Sequence, residues 1–221
     1  MGFGLITACL GIGCNSPRID AWREAVEAVR QGHSDRIEVG DRMVGDAELA
    51  ELADCSFLRE LLLERCNATD AGVASLGRLS QLEHVRLRGA VIGDAGFATL
   101  IQLPRLRFLN LPNADLTDEG LKQITQSSTL ELLRIGSPRV TDDGMPVFSE
   151  VPSLRFLHLI QIPLTDRGLK HLETARSLTS FYIDGSQVTD AGIERLVTAL
   201  PQLHVHIDQR HSDLDPNRHA H

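Results

Sequence analysis

The sequence predicts an α/β fold, a right-handed solenoid whose strands lie in one parallel sheet. Two observations predict it. Apolar residues two apart recur every 24 residues through eight copies, and each of the first seven copies is followed seven residues later by an aspartate that opens a second apolar pattern, of spacing three. Spacing two is the mark of a short strand with one buried face, and spacing three that of one face of a short helix. A strand returning to a parallel neighbour needs such a crossover. One unit cannot bury its own apolar face, so the units must stack.

The elements follow in order. The strand pairs are Ile37/Val39, Leu61/Leu63, Val85/Leu87, Leu109/Leu111, Leu133/Ile135, Leu157/Leu159, Phe181/Ile183 and Val205/Ile207. The aspartates are Asp46, Asp70, Asp94, Asp118, Asp142, Asp166 and Asp190, usually preceded by threonine. An oxygen of Thr or Asp there suits the open N–H groups of a helix start, and the carboxylate suits the helix dipole. Seven periodic aspartates could also suggest metal, but each has a local cap to make. Gly72, Gly96, Gly120, Gly144, Gly168 and Gly192 stand two residues after six of the aspartates and are expected to let adjacent coils approach closely. Pro146 should shorten or distort the helix of its unit. Ahead of the repeats, "IDAWREAVEAVRQG" sets Trp22, Val26 and Val29 on one helical face and ends at Gly32, which fits a cap over the open end of the core. The expected organisation is a leader at 1–14, a capping helix within 15–34, seven repeats and a final strand over 35–208, and a polar tail at 209–221.

The stretch "LRFLNLPNADLTDEGLKQI" from Leu106 carries L-x-x-L-x-L followed by T-D-x-G-L-x-x-L. It resembles the leucine-rich repeat family, and its helical half is similar to repeats of bacterial members and of F-box leucine-rich proteins. The resemblance covers roughly 35–208. It implies a concave parallel sheet whose outward face binds a partner. The family's asparagine ladder is missing: Arg42, Cys66, Ala90, Ala114, Pro138, Ile162 and Ser186 occupy that position, so the turns need other partners.

Composition narrows the function. The chain has 221 residues, 42% hydrophobic and 24% charged, as in ordinary globular proteins. Its formal charge of −8 argues against a nucleic-acid partner. Cys55 and Cys66 read as small core residues. No phosphate loop, hydrolase elbow or Cys-x-x-Cys site is written in the chain, so neither enzymatic activity nor a cofactor is expected.

The apolar stretch 3–14, "FGLITACLGIGC", is too short to span a bilayer, which takes about 20 residues. It fits the apolar part of a secretion signal, with lipoprotein-like boxes ending at Cys9 ("ITAC") and Cys14 ("GIGC"). Against that, the first basic residue, Arg18, follows the run instead of preceding it. Lipidation at Cys14, or at Cys9, would place the protein outside the cytoplasm on a lipid anchor with no transmembrane helix. Without lipidation a cytoplasmic location is expected.

Alternation along the strands selects the outward residues. Phe108, Leu132 and Phe156 make an apolar stripe, beside Arg86, Asn110, Arg134, His158 and Tyr182. Arginine and aromatics together suit a binding surface, and an exposed apolar patch marks one. The partner-binding set is therefore Arg86, Phe108, Asn110, Arg134, Phe156, His158 and Tyr182, on a monomer that binds a protein. The competing expectation is that the N-terminal helix or the tail folds over the stripe. Glu64 and Arg88 should form a cross-strand pair. His204, His206 and Asp208, with Asp184 one strand away, have donors suited to zinc or copper, or simply form a solvated edge. The rival functions are a metal-binding protein and a substrate adaptor in protein turnover. The adaptor is disfavoured because only 34 residues precede the repeats.

Overall fold

The computed structural model describes residues 21–208 and 210–211. Leader residues 1–14, with Cys9 and Cys14, lie outside the described residues, as does the tail from 212. The strands are β1 Arg36–Val39, β2 Glu60–Leu63, β3 His84–Leu87, β4 Phe108–Leu111, β5 Leu132–Ile135, β6 Phe156–Ile160, β7 Ser180–Asp184, β8 His204–Ile207 and β9 Arg210–His211. They form one sheet in chain order. Neighbours from β1 to β8 pair parallel in a register of 24, as in Arg134↔His158, while β9 pairs antiparallel with β8. Equal repeat length is what fixes this register: one residue more in any unit would turn its apolar side chains to the wrong face.

Helix α1, Ala21–Arg30, buries Trp22, Val26 and Val29. It packs against β1, not over the sheet face, so it does not cover the apolar stripe. The Trp22 indole donates to Glu51 (3.0 Å), and Gly32 ends the helix in the left-handed region at φ +71°. The return segments vary: α2 Asp46–Ala50, α3 Asp70–Val73, α4 Asp94–Ile101, α5 Asp118–Leu121, α6 Asp166–Leu172 and α7 Asp190–Ala199 are α-helical. The unit with Pro146 has instead a 3-10 helix, Asp142–Glu150. Proline cannot donate an N–H to the turn before it. Apolar side chains of strands and returns meet in one continuous core, which includes the buried free thiols Cys55 and Cys66.

The Thr-Asp pair divides its work in a way local capping rules do not anticipate. Threonine caps its own helix: the Thr117 hydroxyl accepts from the Gly120 N–H at 3.0 Å. Aspartate reaches into the next repeat. Asp118 accepts from both the backbone N–H and the hydroxyl of Thr141, each at 2.7 Å. The same two-point clasp joins Asp46 to Thr69, Asp94 to Thr117, Asp142 to Thr165 and Asp166 to Thr189. Asp70, facing Gly93, makes only the backbone bond. The glycine is the third part. A Cβ at Gly144 would stand 2.5 Å from Oδ1 of Asp118, and one at Gly168 would overlap both Asp142 and Leu164.

The turns that lack the asparagine ladder are satisfied partly by backbone, as where the Cys66 N–H donates to Arg88 O (2.8 Å) and the Asp115 N–H to Ile92 O (2.8 Å), and partly by side chains, as where the Gly89 N–H donates to Asn113 Oδ1 (3.1 Å). A further ladder precedes the strands, where Asp35, Arg59, Glu83, Arg107, Glu131 and Arg155 alternate in sign at the 24-residue period. Arg59 pairs with Glu83 (2.8 Å) and Arg107 with Glu131 (2.8 Å).

Candidate functional site

Strands β5, β6 and β7 present Arg134, His158 and Tyr182 side by side, because in-register parallel strands set residues 24 apart at one level, about 4.8 Å from each other. The Arg134 Nε–H donates to His158 Nδ1 at 3.2 Å, and His158 Nε2 lies 2.8 Å from an Asp184 carboxylate oxygen. An arginine Nε always carries its proton, so Nδ1 must be the acceptor. The proton of the neutral ring is then on Nε2, donated to Asp184. Burial pulls the His158 pKa below the ordinary histidine value and outweighs the bond to Asp184, which acts the other way. Burial likewise lowers the Arg134 pKa, helped by the like charges of Arg88 and Arg86.

Tyr182 continues the row. Its ring stacks on His206 at 4.0 Å and 10°, and meets His158 at 5.3 Å in a tilted contact. Leu132, Arg134, Phe156, Leu157, His158 and Tyr182 line a depression of about 450 Å³. Phe156 at its rim is 40% exposed, a large value for a phenylalanine on a folded face. Leu132 and Phe108 are half-buried; Phe108 lies under the Arg107 guanidinium (5.1 Å) and beside the His84 ring (5.5 Å).

The earlier strands behave differently. Arg86 is held by Glu64 (2.7 Å), and Glu64 also takes Arg88 (3.0 Å), the expected cross-strand pair with a third member. Both arginines hold the Glu64 carboxyl below its usual range, the Arg86 hydrogen bond most strongly, against the opposing effect of burial. Leu62, outward by alternation, is nevertheless buried (3% exposed). Asn110 is covered too, at 8% exposure; its Oδ1 accepts no hydrogen bond from any described residue, and Arg86 Nε donates none. Of the predicted set, Arg134, Phe156, His158 and Tyr182 therefore converge on one depression. Phe108 and Asn110 stand one strand away, in register with Leu132 and Arg134, and Arg86 lies two strands away.

The residues read as metal donors have other engagements. Asp184 bonds His158, His206 stacks on Tyr182, and Asp208 accepts from the Gly185 N–H at 3.0 Å. Among the described residues no three His, Cys, Asp or Glu side chains gather in a group that could hold a metal ion. Nor does His158 have a ring nitrogen open to a substrate, since one accepts from Arg134 and the other faces Asp184. Burial pushes the thiols of Cys55 and Cys66 up, away from the reactive thiolate. A wider groove of about 810 Å³ runs along the charge ladder, lined by Arg59, Glu83, Arg107, Glu131 and Arg155. Arg59 and Arg107 pair with its two glutamates, while Arg105, also in its lining, donates to Gln81 and Arg155 donates to the Ser177 carbonyl.

No protein-family profile and no curated protein matches this sequence significantly. Solved structures do match in shape. Internalin C2 from Listeria monocytogenes is 17% identical with a TM-score of 0.58; the alignment covers 85% of this chain and 92% of that one. A leucine-rich-repeat protein from Leptospira interrogans is 20% identical with a TM-score of 0.52, over 71% of this chain and 38% of that one. At such identities the likeness establishes architecture, an α/β solenoid of leucine-rich repeats.

Proposed function

We propose that this leucine-rich-repeat solenoid is a non-enzymatic interaction module that binds a protein partner on the concave face of its sheet. Arg134, Phe156, His158 and Tyr182 form the centre of the surface, with Arg86, Phe108 and Asn110 around them. The observation that carries the reading is the depression beside Arg134, where a half-exposed phenylalanine, a tyrosine and an arginine meet on rigid strands. Such residues supply most of the energy of many interfaces, a single truncation often costing about 2 kcal/mol or more. The engagement of both His158 nitrogens and the high thiol pKa values support a binding role over catalysis.

The test is a crosslinking pull-down with Phe156→Ala and Arg134→Ala, with Lys170→Ala on the helical side as control. Both face variants are expected to keep their melting temperature and lose the partner captured by the native chain. Retention by both, with loss only in the control, would assign binding to the other side. The protein is expected to bind as a monomer, which sedimentation checks.

Membrane tethering is the second part of the reading, favoured by the apolar run that ends at Cys14. No described helix is long and apolar enough to cross a membrane, so attachment through this segment would use a lipid on Cys14 or Cys9. Incorporation of labelled fatty acid, abolished by Cys14→Ser or Cys9→Ser, is the expected result. A fully soluble native protein with its initiator methionine intact would exclude it.

A further inference from the structure

The polar atoms of the concave face narrow the chemistry of what binds there. In a chain of formal charge −8, three arginines, Arg86, Arg88 and Arg134, gather around two carboxylates. Glu64 is shared by Arg86 and Arg88, and Asp184 is bonded to His158. Arg134 gives its Nε–H to His158, and no carboxylate of a described residue lies within ion-pair distance of its outer nitrogens. Those nitrogens keep the fork that receives a carboxylate through two parallel hydrogen bonds. The apolar depression adjoins this fork. One strand away, in register with Arg134, the buried Asn110 Oδ1 lacks a donor. That oxygen is closed off from solvent, so it marks a cost built into the face and not a contact for a ligand.

We propose that the face receives an extended acidic segment of a partner protein, its carboxylate on Arg134 and a neighbouring large apolar side chain in the depression. The proposal rests on the concave face being the partner surface. Charge complementarity decides against a basic segment, which would meet Arg134 without a carboxylate beside it and two further arginines that share the single carboxylate of Glu64. It also decides against a purely apolar one, which would cover the Arg134 fork and leave it unpaired.

The full chain is panned against a random-peptide phage library, and the enriched sequence is measured by fluorescence polarisation with its glutamine and lysine counterparts. Enrichment of Asp or Glu beside a bulky apolar residue is expected, and the glutamine counterpart should bind about tenfold more weakly or worse. Arg134→Met should abolish the preference for acid over amide. No enrichment, or a consensus indifferent to charge whose binding still falls with Phe156→Ala, overturns the acidic class; the second outcome leaves the face standing. Acidic peptides bound undiminished by both Arg134→Met and Phe156→Ala overturn the face itself. Residues Asp213, Leu214 and Asp215 of the tail have the same acidic and apolar character. If truncation after His211 strengthens peptide binding about tenfold, the occupant is the chain's own tail, and the proposal fails.

Discussion

The clasp between repeats and the row along the concave face are built on the same period and use it in opposite ways. In the clasp the same three residue types recur, and Asp94, Asp118, Asp142 and Asp166 make nearly identical bonds to the next threonine. In the central row the residue changes at every step: Glu38, Leu62, Arg86, Asn110, Arg134, His158, Tyr182, His206. Where a position must join like to like, one solution is repeated. Where it faces outward, the stack constrains only its spacing. Repetition in this chain therefore marks shape, and departure from repetition is the better guide to function.

Breaking the clasp should be costly, and Gly168→Ala most of all, at about 3 kcal/mol, the upper part of the overpacking range. Its new Cβ would overlap Oδ1 of Asp142 and Cδ1 of Leu164, so the carboxylate must leave its place in the clasp and the leucine must repack. Denaturant unfolding measures this; a midpoint within error of the native chain would mean the glycine has no spacing role. Asp142→Ala comes next, at about 2 kcal/mol, since the Thr165 N–H and hydroxyl both lose a buried charged acceptor.

Acid offers a milder way to open the same bonds. Burial works to raise the Asp142 carboxyl, but its bonds from Thr165 and Arg167 prevail and hold it below the usual range. Asp46 and Asp166 are lowered too, chiefly by the backbone N–H groups of Thr69 and Thr189. A carboxyl with a depressed folded pKa stabilises the fold above its unfolded pKa, about 3.9, and ceases to as pH falls through the folded value. The stability gap between the native chain and Asp142→Ala should therefore close below about pH 4. A gap constant down to pH 2 would show that the cost of Asp142→Ala has another origin.

The face should respond least. Arg134→Met and Phe156→Ala are each expected to shift stability by no more than about 1 kcal/mol, although binding depends on them. His158 sharpens the contrast further. Burial lowers its pKa, so NMR titration should find it neutral at pH values where exposed histidines are half protonated. Arg134→Met removes the cationic neighbour and should move that midpoint upward.

The fold was legible because the period is unbroken from Val39 to Ile207 and both halves of each unit have the spacing of their element. The outward rows were legible for the same reason. What each outward side chain grips was not. Glu64 reaches diagonally to Arg86 as well as to Arg88, and a long arginine has several carboxylates within its radius that alternation cannot rank. The burial of Asn110 and Leu62 depends on neighbouring side chains lying across them, which a pattern of faces does not encode. Threonine makes the cap expected of the Thr-Asp pair, and the aspartate reaches beyond it for a more instructive reason. Capping rules look within one helix, whereas the acceptor–donor spacing of 23, from Asp118 to Thr141, was written in the sequence all along. The charge ladder from Asp35 to Arg155 likewise had its signal in plain view, as alternating sign at one repeat position.

The clasp also has a direction. Each internal unit offers an aspartate forward and accepts its predecessor's carboxylate backward, with threonine (Gly93 in one unit) and glycine as the receiving parts. Excising or duplicating a 24-residue block, such as 116–139, would leave a matching half on either side of the new junction. The length of this solenoid is thus free to change by whole units without any new interface having to arise. Its sheet can grow or shrink by one strand at a time, and with it the number of side chains available to read a partner.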